Sequence, residues 1–227
     1  MKNKNKKIYI AILNQGWIRP ELSSVLLELT RQNKYDIHLT YPAAKPITNN
    51  RNQIVRKFLQ TDYDYLMMLD GDNVPPENIL NLADYQEDII GGLCFAYMKE
   101  MVIPLALKKN KMGSYDVMKI PKQAGLIECD AVGTGVIIIK REVLEAMSFP
   151  FENKYDPEGI KTLGLDINFC KRAKEKGFKV FCHTDFKCSH WTPMDLKEIH
   201  NTIITLHWYI DNLQNQLKQL TTKNEIQ

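Results

Sequence analysis

Along the first half of the chain the hydrophobic positions switch repeatedly between a period of two and a period near 3.6. That is the signature of strands alternating with helices. Lys7 to Leu13 is apolar and β-branched, which predicts a buried first strand. From Pro20 to Gln32 the residues Leu22, Val25, Leu26 and Leu29 fall on one helical face. Tyr35 to Tyr41 alternates through Ile37 and Leu39 as a second strand, closed by Pro42. Asn49 to Gln60 returns to helical spacing with Ile54, Val55, Phe58 and Leu59. Tyr65 to Asp70 is a third strand. A helix is expected from Pro76 to about Tyr85, because proline suits a first helical turn. Ile89 to Phe95 follows as a short buried strand.

The second half is less regular. Pro104 to Leu107 and Tyr115 to Ile120 read as edge strands or a hairpin, and Val136 to Ile139 is the apolar centre of a further strand. Arg141 to Met147 is a short helix, and Phe149 to Leu163 is turn-rich and polar, the composition of a mobile loop. Asp166 to Lys176 is helical up to Gly177, where a left-handed cap is expected, and Phe178 to Cys182 is a last strand. The fold class is therefore α/β, with a mostly parallel sheet and helices on both faces. In such sheets ligands collect at the carboxyl ends of the strands.

The C-terminal segment is different in kind. Leu196, Ile199, Ile203, Leu206, Ile210, Leu213, Leu217 and Leu220 recur at alternating spacings of three and four, a heptad seam. The division implied is a domain over 1–193 and an amphipathic helix over 194–227. The seam predicts a homo-oligomer through residues 196–220, although Ile204, Trp208 and Tyr209 widen its apolar face. The polar end, Thr221 to Gln227, is expected to be unstructured.

Composition narrows the class. The 227 residues, 44% hydrophobic and 25% charged, suit one large domain or a domain with an appendage. The net charge is +3, but Lys2, Lys4, Lys6 and Lys7 crowd the N-terminus, so the body is close to neutral. That disfavours a nucleic-acid partner. No apolar run approaches the ~20 residues of a membrane span, and Ile8 to Leu13 is too short for a signal-peptide core. A cytoplasmic location is expected. Cys94, Cys129, Cys170, Cys182 and Cys188 contain no closely spaced pair and read as reduced core residues.

The strongest chemical lead is Leu69-Asp70-Gly71-Asp72, where an apolar strand ends in two carboxylates. Period-two alternation lets Asp70 and Asp72 point the same way, and Gly71 leaves room for an approaching ligand. Converging carboxylates repel, and a divalent cation such as Mn2+ or Mg2+ relieves this and can grip a diphosphate. The alternative is a pair capping the following helix. Asp166, after Gly164, is either an N-cap or a base facing an acceptor. Arg51 could pair with a phosphate or fix a carboxylate. Gly133 and Gly135 flank Thr134 where a ligand could come close, or where a strand begins with a bulge. Cys182, His183, Cys188 and His190 match no common zinc spacing, whereas His190 alone could join Asp72 around a cation.

Taken together these residues resemble the GT-A-type glycosyltransferases, above all the short bacterial and phage members of family 2. The resembling pieces run in order from Arg51-Asn52 through Asp70-Gly71-Asp72, Gly91-Gly92, Cys129 to Gly135 and Gly164-Leu165-Asp166 to His190-Trp191. They span about Lys7 to Pro193. The resemblance implies transfer of a sugar from a UDP- or GDP-linked donor to an acceptor hydroxyl, with inversion, and if phage-encoded, action in the host cytoplasm. Asp70, Asp72 and His190 then match the metal ligands, and Asp166 matches the general base. Asn14 and Tyr41 lie where the nucleoside base is held. Leu165 replaces the family's glutamate, which removes one acceptor contact. Two other classes share the pattern: a sugar-nucleotide nucleotidyltransferase, whose glycine-rich loop after the first strand is missing at Asn14-Gln15-Gly16-Trp17, and a non-catalytic module assembled by the coiled coil. The acceptor could be a saccharide, a protein, a lipid carrier or, least favoured, modified DNA.

Overall fold

The computed structural model describes residues 5–98, 101–121, 125–193 and 195–224, with the side chains of 220–224 left aside. The chain divides into two units, one formed by Met1–Ala96 and Ile103–Trp191, the other by Tyr97–Val102 and Thr192–Gln227.

The first unit is built on a seven-stranded sheet. Its strands are β1 (Lys7–Leu13), β2 (Asp36–Thr40), β3 (Tyr65–Asp70), β4 (Ile89–Leu93), β5 (Leu126–Cys129), β6 (Val136–Lys140) and β7 (Val180–Lys187). In space they lie in the order β5-β7-β4-β6-β3-β1-β2. The pairs β1–β2, β1–β3 and β4–β7 are parallel. Strand β6 runs against both β3 and β4, and β5 runs against β7. The sheet is thus mainly parallel, with two reversed strands.

Four α-helices belong to this unit: α1 (Pro20–Arg31), α2 (Ile47–Leu59), α3 (Arg141–Glu145) and α4 (Leu165–Glu175). Period-two alternation divides the strands between two cores. Ile8, Ile10, Ile12, Met67 and Leu69 pack with Leu22, Val25, Leu26 and Leu29 of α1. Tyr9, Ala11, Leu13, Leu66 and Met68 pack with Ile54, Val55 and Phe58 of α2 and with Phe169 and Ala173 of α4. A one-residue register slip in β3 would exchange its two faces and bury none of these correctly.

Several elements differ from the sequence expectation. The segment after Pro76 is a 3-10 helix over Ile79–Tyr85. Its buried residues, Ile79 with Leu82 and Leu80 with Ala83, repeat every three residues, the 3-10 period. The turn-rich stretch from Phe149 contains an antiparallel pair, Lys154–Tyr155 with Lys161–Leu163. Strand β7 continues five residues beyond Cys182, through a register shift between His183 and Lys187. Ala106–Lys109 and Tyr115–Val117 do form an antiparallel pair. Helix α4 closes at Gly177, whose φ of +91° is the left-handed conformation that glycine adopts freely.

The second unit contains α5 (Leu196–Asn224), which continues into the polar end expected to be unstructured. Glu225 to Gln227, like Lys2 and Lys4, lie outside the described residues. No helix among the described residues is long and apolar enough to cross a membrane.

Candidate active site

Strands β1 and β3 end side by side, Leu13 paired with Asp70, at the rim of a cavity of about 600 Å³. Asn14, Trp17, Lys45, Asn50, Asp70 and Asp72 line it. The chain reverses tightly at Gly71, whose N–H donates to Leu13 O at 2.7 Å and whose carbonyl accepts from Arg19 N at 3.0 Å. A Cβ at this position would lie 3.1 Å from Leu13 O and 3.2 Å from Ile18 Cγ2. Glycine therefore serves the close approach of the 13–19 segment, not of a ligand as its sequence position suggests.

The two carboxylates have different surroundings. Asp70 alternates with Leu66 and Met68 and so points to the α2 side of the sheet, where Arg51 waits. Arg51 Nη2 donates to both Asp70 oxygens, at 2.8 and 3.0 Å, while Nη1 donates to Thr134 O at 3.3 Å. The guanidinium is buried and Asp70 partly so. Burial pushes the Asp70 carboxyl pKa upward against the pull of Arg51, with the charge of Asp166 adding to the rise. Of the two roles open to Arg51, the structure shows the fixing of a carboxylate.

Asp72 is the more open of the pair. Ser189–His190 runs antiparallel to Asn73–Val74, which sets His190 beside Asp72 although 118 residues separate them in the chain. His190 Nε2 lies 3.6 Å from Asp72 Oδ2. His190 Nδ1 is 2.6 Å from Phe95 O, and since a carbonyl only accepts, Nδ1 carries the proton. In its neutral form His190 therefore has its Nε2 lone pair on the Asp72 side, the form in which it could ligate a metal. Asp72 raises the His190 pKa to about 8, and His190 holds Asp72 below the usual carboxylate range. Asn73 Nδ2 also donates to Asp72 Oδ1 at 2.9 Å. No cluster of three or more His, Cys, Asp and Glu side chains is placed for a metal among the described residues. The side chains that fit a divalent cation are Asp72 and His190, because Asp70 is already engaged by Arg51.

Asp166 stands in the first turn of α4, but Gly164 is the N-cap residue. The carboxylate instead faces Thr134: Oδ1 accepts from its hydroxyl at 2.7 Å and Oδ2 lies 3.4 Å from its backbone nitrogen. Arg51, through the carbonyl of the same Thr134, links Asp70 to Asp166. The flanking glycines serve packing: a Cβ on Gly133 would lie 2.7 Å from Leu105 Cδ1, and one on Gly135 3.0 Å from the Asn73 amide. The neighbours filling that space are thus protein atoms.

Asn14 lines the cavity and its Oδ1 accepts from Gly16 N at 2.9 Å, while the exposed Tyr41 precedes Pro42, whose carbonyl accepts from Asn14 N at 3.3 Å. Sequence reasoning missed Asn50, Thr134 and Trp17. Asn50, a residue of the cavity lining, is 2% exposed; its Nδ2 donates to Pro42 O at 3.2 Å, and its buried Oδ1 has no hydrogen-bond partner. Its polarity at a buried helical position was the available signal. The imagined zinc set is dispersed: His183 Nε2 pairs with Tyr85 OH at 2.6 Å, and Cys182 and Cys188 are buried free thiols.

No protein-family model and no curated protein matches the sequence. Solved structures do. The crystal structure of A197 from STIV superposes with a TM-score of 0.57 at 20% identity, covering 83% of this chain and 86% of that one. A UDP-glucose pyrophosphorylase complexed with UDP-glucose gives 0.46 at 11% identity, covering 91% of this chain and 100% of the other. A glucose-1-phosphate thymidylyltransferase from Bacillus anthracis, described as putative, gives 0.45 at 13% identity over 83% of this chain and 88% of that one. The first of these establishes a shared α/β fold.

Proposed function

We propose that the protein is a glycosyltransferase that takes a nucleoside-diphosphate sugar, uridine- or guanosine-linked, into the cavity at the ends of β1 and β3. What carries this reading is the pairing of Asp72 with a correctly oriented His190 on that rim, while Asp166 is held nearby by Thr134. Asn14, Asn50 and Trp17 surround the space for the nucleoside, and Lys45 brings a positive charge to the same cavity. Asp72 and His190 would hold Mn2+ or Mg2+, which when bound supplies charge neutralisation to a diphosphate leaving group. The chain's own residues do the rest. Arg51 fixes Asp70 at the strand end, on the wall of the cavity that would take the ribose. Asp166 accepts the proton from an acceptor hydroxyl as the new oxygen–carbon bond forms at the anomeric carbon. The anomeric carbon–phosphate oxygen bond breaks, and the diphosphate leaves with its electron pair.

Calorimetry of uridine and guanosine diphosphate, with and without Mn2+, tests the proposal alongside transfer assays. Asp72→Ala should lose the metal-dependent part of binding. Asp166→Asn should bind donor as the wild type does and lose roughly a hundredfold or more in turnover. Unchanged turnover in Asp166→Asn discards the base, and metal-independent binding in the wild type discards the cation.

The second unit supports a proposal about assembly: α5 pairs in parallel with α5 of a second copy. Ile203 and Ile210 occupy one seam position and Leu206 and Leu213 the other, the β-branched and γ-branched choice of two-stranded coils. All four are about half exposed in the single chain. In a parallel in-register pair Asp195 of one helix faces His200 of the other, and no like charges oppose each other from 195 to 216 at the flanking positions. Leu220's side chain lies outside the described residues. Ile203→Asp with Ile210→Asp should sediment as a monomer, and an unchanged sedimentation coefficient would refute the pairing.

A further inference from the structure

A second cavity, of about 440 Å³, lies against α4, the helix that carries Asp166. Its walls come from three separate elements: Lys109 and Ser114 around the Ala106–Val117 hairpin, Lys154 and Thr162 from the 154–163 hairpin, and Ile167 and Lys171 from α4. Three ammonium groups thus ring one concavity. The charge opposing them is Glu175, paired with Lys171 at 2.9 Å. Contact with Lys171 first, and then the charges of Lys109 and Lys154, hold the Glu175 carboxyl below its ordinary range, so all three lysines are felt at one point. Among the described residues neither Lys109 nor Lys154 has a carboxylate within ion-pair distance.

Solvated lysines are ordinary on a protein surface, but they usually spread apart. Here the fold gathers them from a strand, a hairpin and a helix, against mutual repulsion, around a cleft large enough for a small ligand. The chemistry of the lining selects the ligand class. Two ammoniums without partners match a dianion, and the hydroxyl of Ser114 adds a donor, while that of Thr162 already donates to Lys154 O at 3.2 Å. No guanidinium fork is present for a flat carboxylate, whereas point-charge lysines suit a tetrahedral phosphate. Leu163 and Ile167 supply an apolar floor for whatever bears the phosphate.

We propose that this cavity binds the phosphate of a small phosphorylated molecule. Binding stands on the lysine cluster alone. That the molecule is the sugar acceptor rests on the glycosyltransferase reading, and follows from Ile167 and Lys171 sharing α4 with Asp166.

The test is calorimetry at low salt, without metal, using inorganic phosphate, glucose 6-phosphate and glucose. Phosphate and glucose 6-phosphate should bind saturably at one site, and glucose should not. Lys109→Gln with Lys154→Gln should weaken both by about tenfold or more, the loss expected when charge-assisted bonds are removed. Both lysines are exposed, and a thermal melt checks that the variant folds. Uridine diphosphate with Mn2+ should bind this variant as it binds the wild type. Absence of saturable phosphate binding, or an affinity changed less than twofold by the double substitution, overturns the proposal. So does tighter binding of a short single-stranded oligonucleotide than of glucose 6-phosphate, which would mean a phosphodiester chain. Phosphate binding without any nucleotide binding at the first cavity keeps this site and removes the transferase. The reverse result removes this site alone.

Discussion

Asp70 and Asp72 are two residues apart, yet they belong to different kinds of structure. Asp70 is the first link of an inner network, Asp70–Arg51–Thr134–Asp166, joined by a hydrogen bond at each step. Asp72 belongs to an outer pair with His190, at 3.6 Å, beyond hydrogen-bond distance and with room for something between. The difference teaches what a buried ion pair does at such a rim. The inner network spends its charges on geometry, fixing the end of β3 and the orientation of Asp166. The outer pair is the more open one, with Asp72 lining the cavity. On the proposed reading, binding and rigidity fall to neighbouring residues that look equivalent in the sequence.

The largest effect should come from breaking the inner network at its centre. Arg51→Met leaves Asp70 without a counter-charge and Thr134 O without a donor. Removing one partner of a buried pair costs about 3–5 kcal/mol, and Asp70's partial access to water puts this case near the lower end. For a chain of this size that is a fall in melting temperature of roughly 6–12 °C. His190→Ala should shift it far less. Equal thermal shifts in the two variants would erase the distinction between a structural and a ligand-facing pair.

Thr134→Val comes next. It deletes the 2.7 Å hydroxyl donor to Asp166 while nearly conserving volume at a fully buried position. A hydrogen bond to a charged group contributes about 1.5–3 kcal/mol, so transfer turnover should fall roughly tenfold or more. Thr134 acts here by positioning, so donor affinity should hold and Thr134→Ser should restore turnover. A parallel loss of donor affinity would place Thr134 in the outer group instead.

How much of this was legible beforehand follows from where each interaction lives along the chain. Strands β1 to β3 and helices α1 and α2 were readable within a few residues, because the continuous apolar run Ile8 to Leu13 and the 22-25-26-29 spacing are local patterns. Strand β6 reads just as clearly as apolar, yet its reversed direction between β3 and β4 is set by connections far from its own residues. The Thr134–Asp166 bond is hidden for the same reason: the two lie 32 positions apart, and the flanking glycines drew the eye instead. Arg51 was visible as a positive charge near the start of a helix, able to meet an anion. Which of two anions it meets, a phosphate or Asp70, needed the third dimension.

The smallest effect should sharpen the comparison by touching the outer pair alone. A Cβ added in Gly135→Ala would sit 3.0–3.1 Å from the Asn73 amide atoms. Asn73 must yield by a few tenths of an ångström, and Asn73 is the side chain that holds Asp72 Oδ1. The inner network stays intact, because Gly135 meets Asp70 through its backbone carbonyl, which alanine retains. Such overpacking costs about 1 kcal/mol. Metal-dependent nucleotide affinity should therefore weaken by roughly fivefold, with turnover at saturation nearly unchanged. The split is what matters. If Gly135→Ala lowered turnover and left affinity alone, Asn73 would be coupled to Asp166 rather than to Asp72, and the two networks would be one.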